Sequence, residues 1–89
     1  MPKIAFTPNL RRHLDAPAGE FAGATVGAVL EAAFQINPRL RSYIVDDQGA
    51  VRKHVQVYVN DGVLRDRVRL SDPLGANDEV FVFQALSGG

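Results

Sequence analysis

Two histidines, one aspartate pair and a closing pair of glycines are the places where this 89-residue chain could do chemistry. His13 and His54 stand alone, with no serine–histidine–aspartate order and no metal-ligand spacing around either. Both read as surface residues, and no metal site is expected. Asp46-Asp47 offers two carboxylates, the raw material of general acid–base work. Gln48-Gly49 follows directly, however, and the four residues read as a turn. Cysteine is absent, which removes thiol nucleophiles, thiolate zinc sites and disulfides together. The glycines form neither a G-x-G-x-x-G fingerprint nor a P-loop. No catalytic constellation is in view, so the chain is expected to catalyse nothing alone.

The remaining candidate is main chain. The sequence closes on "FVFQALSGG". Without Cβ atoms, Gly88 and Gly89 can run extended through a channel that a larger side chain would block. They would deliver an α-carboxylate into the active site of another protein. That carboxylate is ionised at neutral pH and a poor electrophile. Adenylation by ATP would turn it into an acyl donor open to attack by sulfur or an amine. A frayed end is the plainer alternative; the strand-like run directly before the glycines favours a working tail.

Charge points away from polyanions. Ten basic residues balance ten acidic ones, and in "RDRVRLSD" aspartates interleave with the arginines. Nucleic-acid or membrane-surface binding would want a net basic stripe. The arginines therefore read as a solvated face, with steering toward an acidic partner as a lesser use. No run approaches the length of a membrane span, and no signal-peptide stretch opens the chain. A cytoplasmic location is the expectation.

The elements that must position such a tail are legible in outline. Lys3 to Thr7 alternates, with Ile4 and Phe6 on one side, and reads as a strand halted by Pro8. A polar stretch leads to a short second strand around Glu20 to Ala22. Thr25 reads as the N-cap of a helix whose Val26, Val29, Leu30, Ala33 and Phe34 share one face. Asn37-Pro38 ends it, since proline disfavours helical geometry in the residue before it. A short apolar run and the Asp-Asp-Gln-Gly turn follow. Val51 to Val59 reads as a strand and Asn60-Asp61-Gly62 as a hairpin turn. Val63 to Leu70 suits an exposed edge or loop. Glu79 to Ala85 reads as the last strand, apolar on both faces, hence either central or with one face reserved for a partner. If the helix covers Val80 and Val82, then Phe81 and Phe83 point the other way. They form either a protein-binding patch or a surface covered by the 8–20 loop. One α+β domain over residues 1–85, a sheet with a helix on one face, and a tail of 86–89 are expected.

The helix opening "TVGAVLEAAF", the strand and turn "VYVNDG" and the ending "DPLGANDEVFVFQALSGG" together resemble the ubiquitin-like sulfur carriers of bacteria. These include the thiamine-pathway carrier, the small subunit of molybdopterin synthase and the carrier for cysteine biosynthesis. The resemblance covers essentially the whole chain through an ordered set of loose motifs. It implies the β-grasp fold, a mixed four- or five-stranded sheet over one main helix. It also implies that an E1-like adenylating enzyme consumes ATP to activate the carboxylate of Gly89. Sulfur then displaces AMP to leave a thiocarboxylate, and the carrier itself binds no cofactor. Gly88 and Gly89 carry over from the family directly. Leu86 and Ser87 match the tail only in position, and Phe81 and Phe83 are placed near the docking face by strand parity.

The segment "RKHVQVYVND" and the earlier "LRRH" look closest to the cysteine-biosynthesis carrier. The partners implied there are a pyridoxal-phosphate cysteine synthase that accepts the sulfur and a metal-dependent peptidase that releases the product. The molybdopterin synthase subunit shares the ending. A ubiquitin-like modifier forming isopeptide bonds through Gly89 and a plain interaction domain are the other readings.

Overall fold

A computed structural model of the chain describes residues 1–6 and 19–84. Five strands and two helices run in the order β1 (Lys3–Phe6), β2 (Gly19–Glu20), α1 (Val26–Ile36), α2 (Arg39–Ile44), β3 (Val55–Val59), β4 (Gly62–Val63) and β5 (Glu79–Gln84). They form one mixed sheet in the order β2-β1-β5-β3-β4. β1 and β5 are parallel at its centre, and the remaining pairs are antiparallel. This is the α+β β-grasp architecture expected from the sequence.

Helix α1 forms where its pattern says it should. Thr25 is extended, and its hydroxyl accepts from the Ala28 N–H at 3.2 Å, satisfying one of the donors a helix start leaves open. Val26, Val29, Leu30, Ala33 and Phe34 are all buried and meet Ile4, Phe6, Val55, Val57, Val80 and Val82 from the sheet. Gly23 is required just ahead of the helix. A Cβ there would lie 2.8 Å from Val29 Cγ2 and 2.9 Å from the Val29 backbone nitrogen, closer than carbon atoms pack.

Several boundaries differ from the sequence reading. The best-patterned strand begins at Val55, not Val51; Val51 makes only an isolated bridge with Val45. The second strand is Gly19–Glu20, not Glu20–Ala22, because Phe21 already turns into the core while its N–H holds the Pro2 carbonyl at 2.9 Å. The apolar run after Pro38 is a second short helix, α2, whose Leu40 and Ile44 are fully buried. Six residues are too few for helical periodicity to show. Thr7, the rest of the 8–18 stretch with His13, and Ala85 lie outside the described residues.

Candidate functional site

β5 occupies the centre of the sheet and alternates strictly. Val80 and Val82 are 0% exposed beneath α1, while Phe83 on the opposite face is 40% exposed and Phe81 is half-buried. β5 is therefore central, with one face in the core and an apolar, partly exposed second face. Register builds the open face outward from these two rings. Tyr58 of β3 sits opposite Phe81, Gln56 opposite Phe83, and Ala5 of β1 opposite Phe81 on the other side. Val63 of β4 lies opposite Tyr58 and is 54% exposed.

The rings touch one another. Tyr58 and Phe83 have centroids 5.5 Å apart, and Phe81 and Phe83 lie 6.3 Å apart, both tilted. These separations fall in the range where aromatic pairs attract. The result is a strip of three aromatics and a valine with no layer of described residues over it. Toward the start of β5 the same face turns polar, with Lys3 between Glu20 and Glu79. The aromatic end is the end from which the chain continues to residues 85–89.

Two polar clamps hold β5 and β3 in place. At the start of β5, Asn60 takes a left-handed φ of 53° and bridges the hairpin to the strand. Its amide donates to Asp78 at 3.1 Å and accepts from the Glu79 N–H at 3.0 Å. Asp78 also accepts from the Gly75 N–H at 2.7 Å; that bond first, then Asn60, holds its carboxyl below the usual range. At the start of β3, Arg67 donates to the carbonyls of Arg52 at 2.7 Å and Val55 at 2.8 Å. Arg67 is thus half-buried and structural, not part of a solvated face.

Asp66 organises the adjoining loop. Its carboxylate accepts from the Val68 and Arg69 N–H groups and from the Ser71 hydroxyl and N–H. The Arg69 N–H contributes most and the Ser71 hydroxyl next, lowering the Asp66 pKa to about 2. A carboxyl depressed on folding adds stability above its unfolded pKa, and that stability is lost as pH falls toward the folded value. Asp66→Asn is therefore expected to lower the thermal midpoint at pH 7. The gap to wild type should close between about pH 4 and pH 2. Thermal melts across that window check it; a gap independent of pH would show that packing, not the charge, is responsible.

The remaining sequence candidates divide cleanly. Asp46 accepts from the Gln48 and Ala50 N–H groups, so the aspartate pair is a turn, as read. His54 rests edge-on against Tyr43, with centroids 5.6 Å apart. Among the described residues no group of three or more ligating side chains could hold a metal. No helix among them is long and apolar enough to cross a membrane. The structure brings Phe81 and Phe83 together as expected. Leu86, Ser87, Gly88 and Gly89 lie outside the described residues. Sequence reasoning missed Tyr58, although its parity with Gln56 and its turn two residues later, at Asn60, were enough to place it on the open face.

Comparison with known proteins places the chain among small carriers and modifiers. Residues 12–89 match the ThiS family. Small archaeal modifier protein 1 of Haloferax volcanii is 33% identical over 66 residues, which cover 74% of this chain and 71% of that protein. The crystal structure of that organism's modifier superposes with a TM-score of 0.78 at 26% identity, over 99% of this chain and 98% of the other. A chain of the Amycolatopsis orientalis BexX/CysO complex superposes with a TM-score of 0.83 at 22% identity, over 100% of both.

Proposed function

The chain belongs to the ThiS family of ubiquitin-like carriers, and from that premise we propose that it carries sulfur as a thiocarboxylate on Gly89. It acts as a protein co-substrate for its partners, not as a catalyst. The domain of residues 1–85 docks, and the tail of 86–89 does the chemistry. An E1-like adenylating enzyme joins the Gly89 carboxylate to the AMP portion of ATP and releases pyrophosphate. A sulfide-level sulfur then attacks the acyl carbon, AMP leaves, and one carboxylate oxygen has been replaced by sulfur. The carrier binds no cofactor of its own.

The observation that supports this reading is the continuity of β5. β5 carries Phe81 and Phe83, which with Tyr58 of β3 form the aromatic strip, and residues 85–89 follow it directly in sequence. A partner seated on the strip is within six residues of Gly89 along the chain. Five residues, 85–89, fully extended span at most about 17 Å, enough to enter a buried active site from a docked domain. Gly88 and Gly89 keep that path narrow, with Leu86 and Ser87 as the stem.

For the acceptor, we put forward a pyridoxal-phosphate cysteine synthase, with a metal-dependent peptidase releasing the product. The stretch "RKHVQVYVND" is the support. A second reading, conjugation of Gly89 to lysines of other proteins, is favoured by the modifier relative from Haloferax volcanii. The two share adenylation and part at the nucleophile.

The test is incubation with ATP, a sulfide donor and the adenylating enzyme, followed by fragmentation of the C-terminal peptide in a mass spectrometer. Fragmentation is needed because exchanging oxygen for sulfur adds nearly the same mass as oxidising Met1, the only methionine. Sulfur located on Gly89 supports the carrier. Gly89 in isopeptide linkage to other proteins, without sulfur, supports the modifier.

A further inference from the structure

We propose that Lys53 is an internal acceptor for the activated tail: its Nζ takes the acyl group of Gly89 and closes the chain into an isopeptide loop. The inference rests on adenylation of Gly89, the step that the carrier and modifier readings share.

Lys3 and Lys53 are the only lysines in the chain, and cysteine is absent. The sheet puts the two amines at opposite ends. Val55 pairs with Gln84, the last described residue before the tail, so their Cα atoms lie about 5 Å apart. Lys53 precedes Val55 by two residues, at most about 7 Å of chain. It therefore sits within about 12 Å of the root of the tail. Lys3 pairs with Glu79, which is five residues of strand from Gln84, or about 17 Å, and lies one strand to the side. The Met1 amine, two residues ahead of Lys3, belongs to that far end. Residues 85–89 span at most about 17 Å. Lys53 is within their reach with slack, and Lys3 only at full stretch. Gly88 and Gly89 permit the reversal of direction that closure needs.

The local structure presents Lys53 for such a reaction. It occupies a turn closed by the Val55 N–H on the Arg52 carbonyl at 3.1 Å. Arg67 pins both ends of that turn through the Arg52 and Val55 carbonyls, and Arg52 Nε holds the Ser42 carbonyl at 2.8 Å. The backbone at Lys53 is thus fixed. Its side chain is exposed, with no hydrogen bond or ion pair within the described residues. An open groove of about 460 Å³, shared with Asp46, Val51, Arg52 and His54, leaves main chain room to approach. Neighbouring arginines cannot take its place, because a guanidinium stays protonated.

In the adenylate, the Gly89 carbonyl carbon is bonded to a phosphate oxygen of AMP. Lys53 Nζ attacks that carbon, the C–O bond breaks, AMP leaves with the electron pair, and the proton of the amine passes to solvent. The closed chain is one water lighter than the free acid. Within one molecule a short linker that spans its sites gives an effective concentration in the millimolar range. That is on the order of 100-fold above a second copy at about 10 μM. An activated tail that meets no sulfur is thereby withdrawn as a stable amide.

The experiment has two arms. In the first, full-length chain bearing a small-thiol thioester on Gly89 is held at about 10 μM, and the products are weighed intact and mapped by peptide fragmentation. The wild type is expected to close into a monomer one water below the free acid, with Gly89 linked to Lys53. Lys53→Arg should lower the yield at least about tenfold, and Lys3→Arg should close like wild type. Linkage to Lys3 or to the Met1 amine, linked dimers in place of loops, or hydrolysis alone overturns the internal acceptor and leaves adenylation standing. In the second arm the unmodified chain meets ATP and the adenylating enzyme without a sulfur donor. The same loop is expected there, together with pyrophosphate exchange. Exchange without the loop overturns the internal acceptor alone; absence of exchange overturns the adenylation reading itself.

Discussion

Removing Gly89 is expected to abolish adenylation while leaving the fold untouched. The truncated chain still ends in a glycine carboxylate, so the reacting group is chemically the same. What changes is where it sits, because one residue of extended chain is about 3.5 Å. Reacting atoms must lie within about 3–3.5 Å of each other, and a misplacement of about 1 Å already costs on the order of 100-fold. A carboxylate held a full residue short should be activated at less than about a thousandth of the wild-type rate. Gly88→Trp should fail for a different reason, since the carboxylate is in place but an indole must pass where only main chain fits. Neither change touches the core, whose last member along the chain is Val82 among the described residues. Thermal midpoints should therefore stay within about 1 °C of wild type. Pyrophosphate exchange with matched melts checks this. Wild-type exchange by the truncated chain would mean that Gly89 is not the activated residue.

Much of this architecture could be read before any coordinates, and the reasons differ by element. Helix α1 was legible because five apolar residues at helical spacing, a threonine cap and an Asn-Pro stop all agree, and all five residues are buried. β5 was legible from its doubly apolar pattern, and its parity placed Phe81 and Phe83 correctly. The failures have two causes. The six residues of α2 are too few for a period to show, while the start of β3 and the role of Arg67 are set by contacts between residues far apart in sequence. Arg67 reaches 12 and 15 positions back to the carbonyls it holds, and Val51 gives its N–H to the Arg67 carbonyl at 2.8 Å in place of a strand partner. Alternation over 51–59 cannot reveal that.

Phe83→Ala and Val82→Ala, one residue apart, are expected to separate binding from stability. Val82 is 0% exposed in the core beneath α1. Truncating it removes buried methyl groups and leaves a cavity, at roughly 2 kcal/mol of folding stability. It projects away from the open face of the sheet, so affinity for the adenylating enzyme should be nearly unchanged in the folded protein. Phe83 is 40% exposed and leans on Tyr58 and Phe81. Its truncation opens no sealed cavity and forfeits only part of those ring contacts, roughly 1 kcal/mol. At an interface the balance shifts, because exposed aromatics that become fully desolvated on docking account for about 2–4 kcal/mol each, on the order of 30- to 1,000-fold in affinity. Tyr58→Ala should behave like Phe83→Ala, and Phe81→Ala, half-buried, should fall between the two patterns. Titration calorimetry with the adenylating enzyme, paired with denaturant melts, measures both quantities on the same proteins. A loss of 3–5 kcal/mol of stability in Phe83→Ala, the range for emptying a core phenylalanine site, would show the ring to be covered in the folded protein. Unchanged affinity in Phe83→Ala and Tyr58→Ala together would move the docking surface off the open face of the sheet.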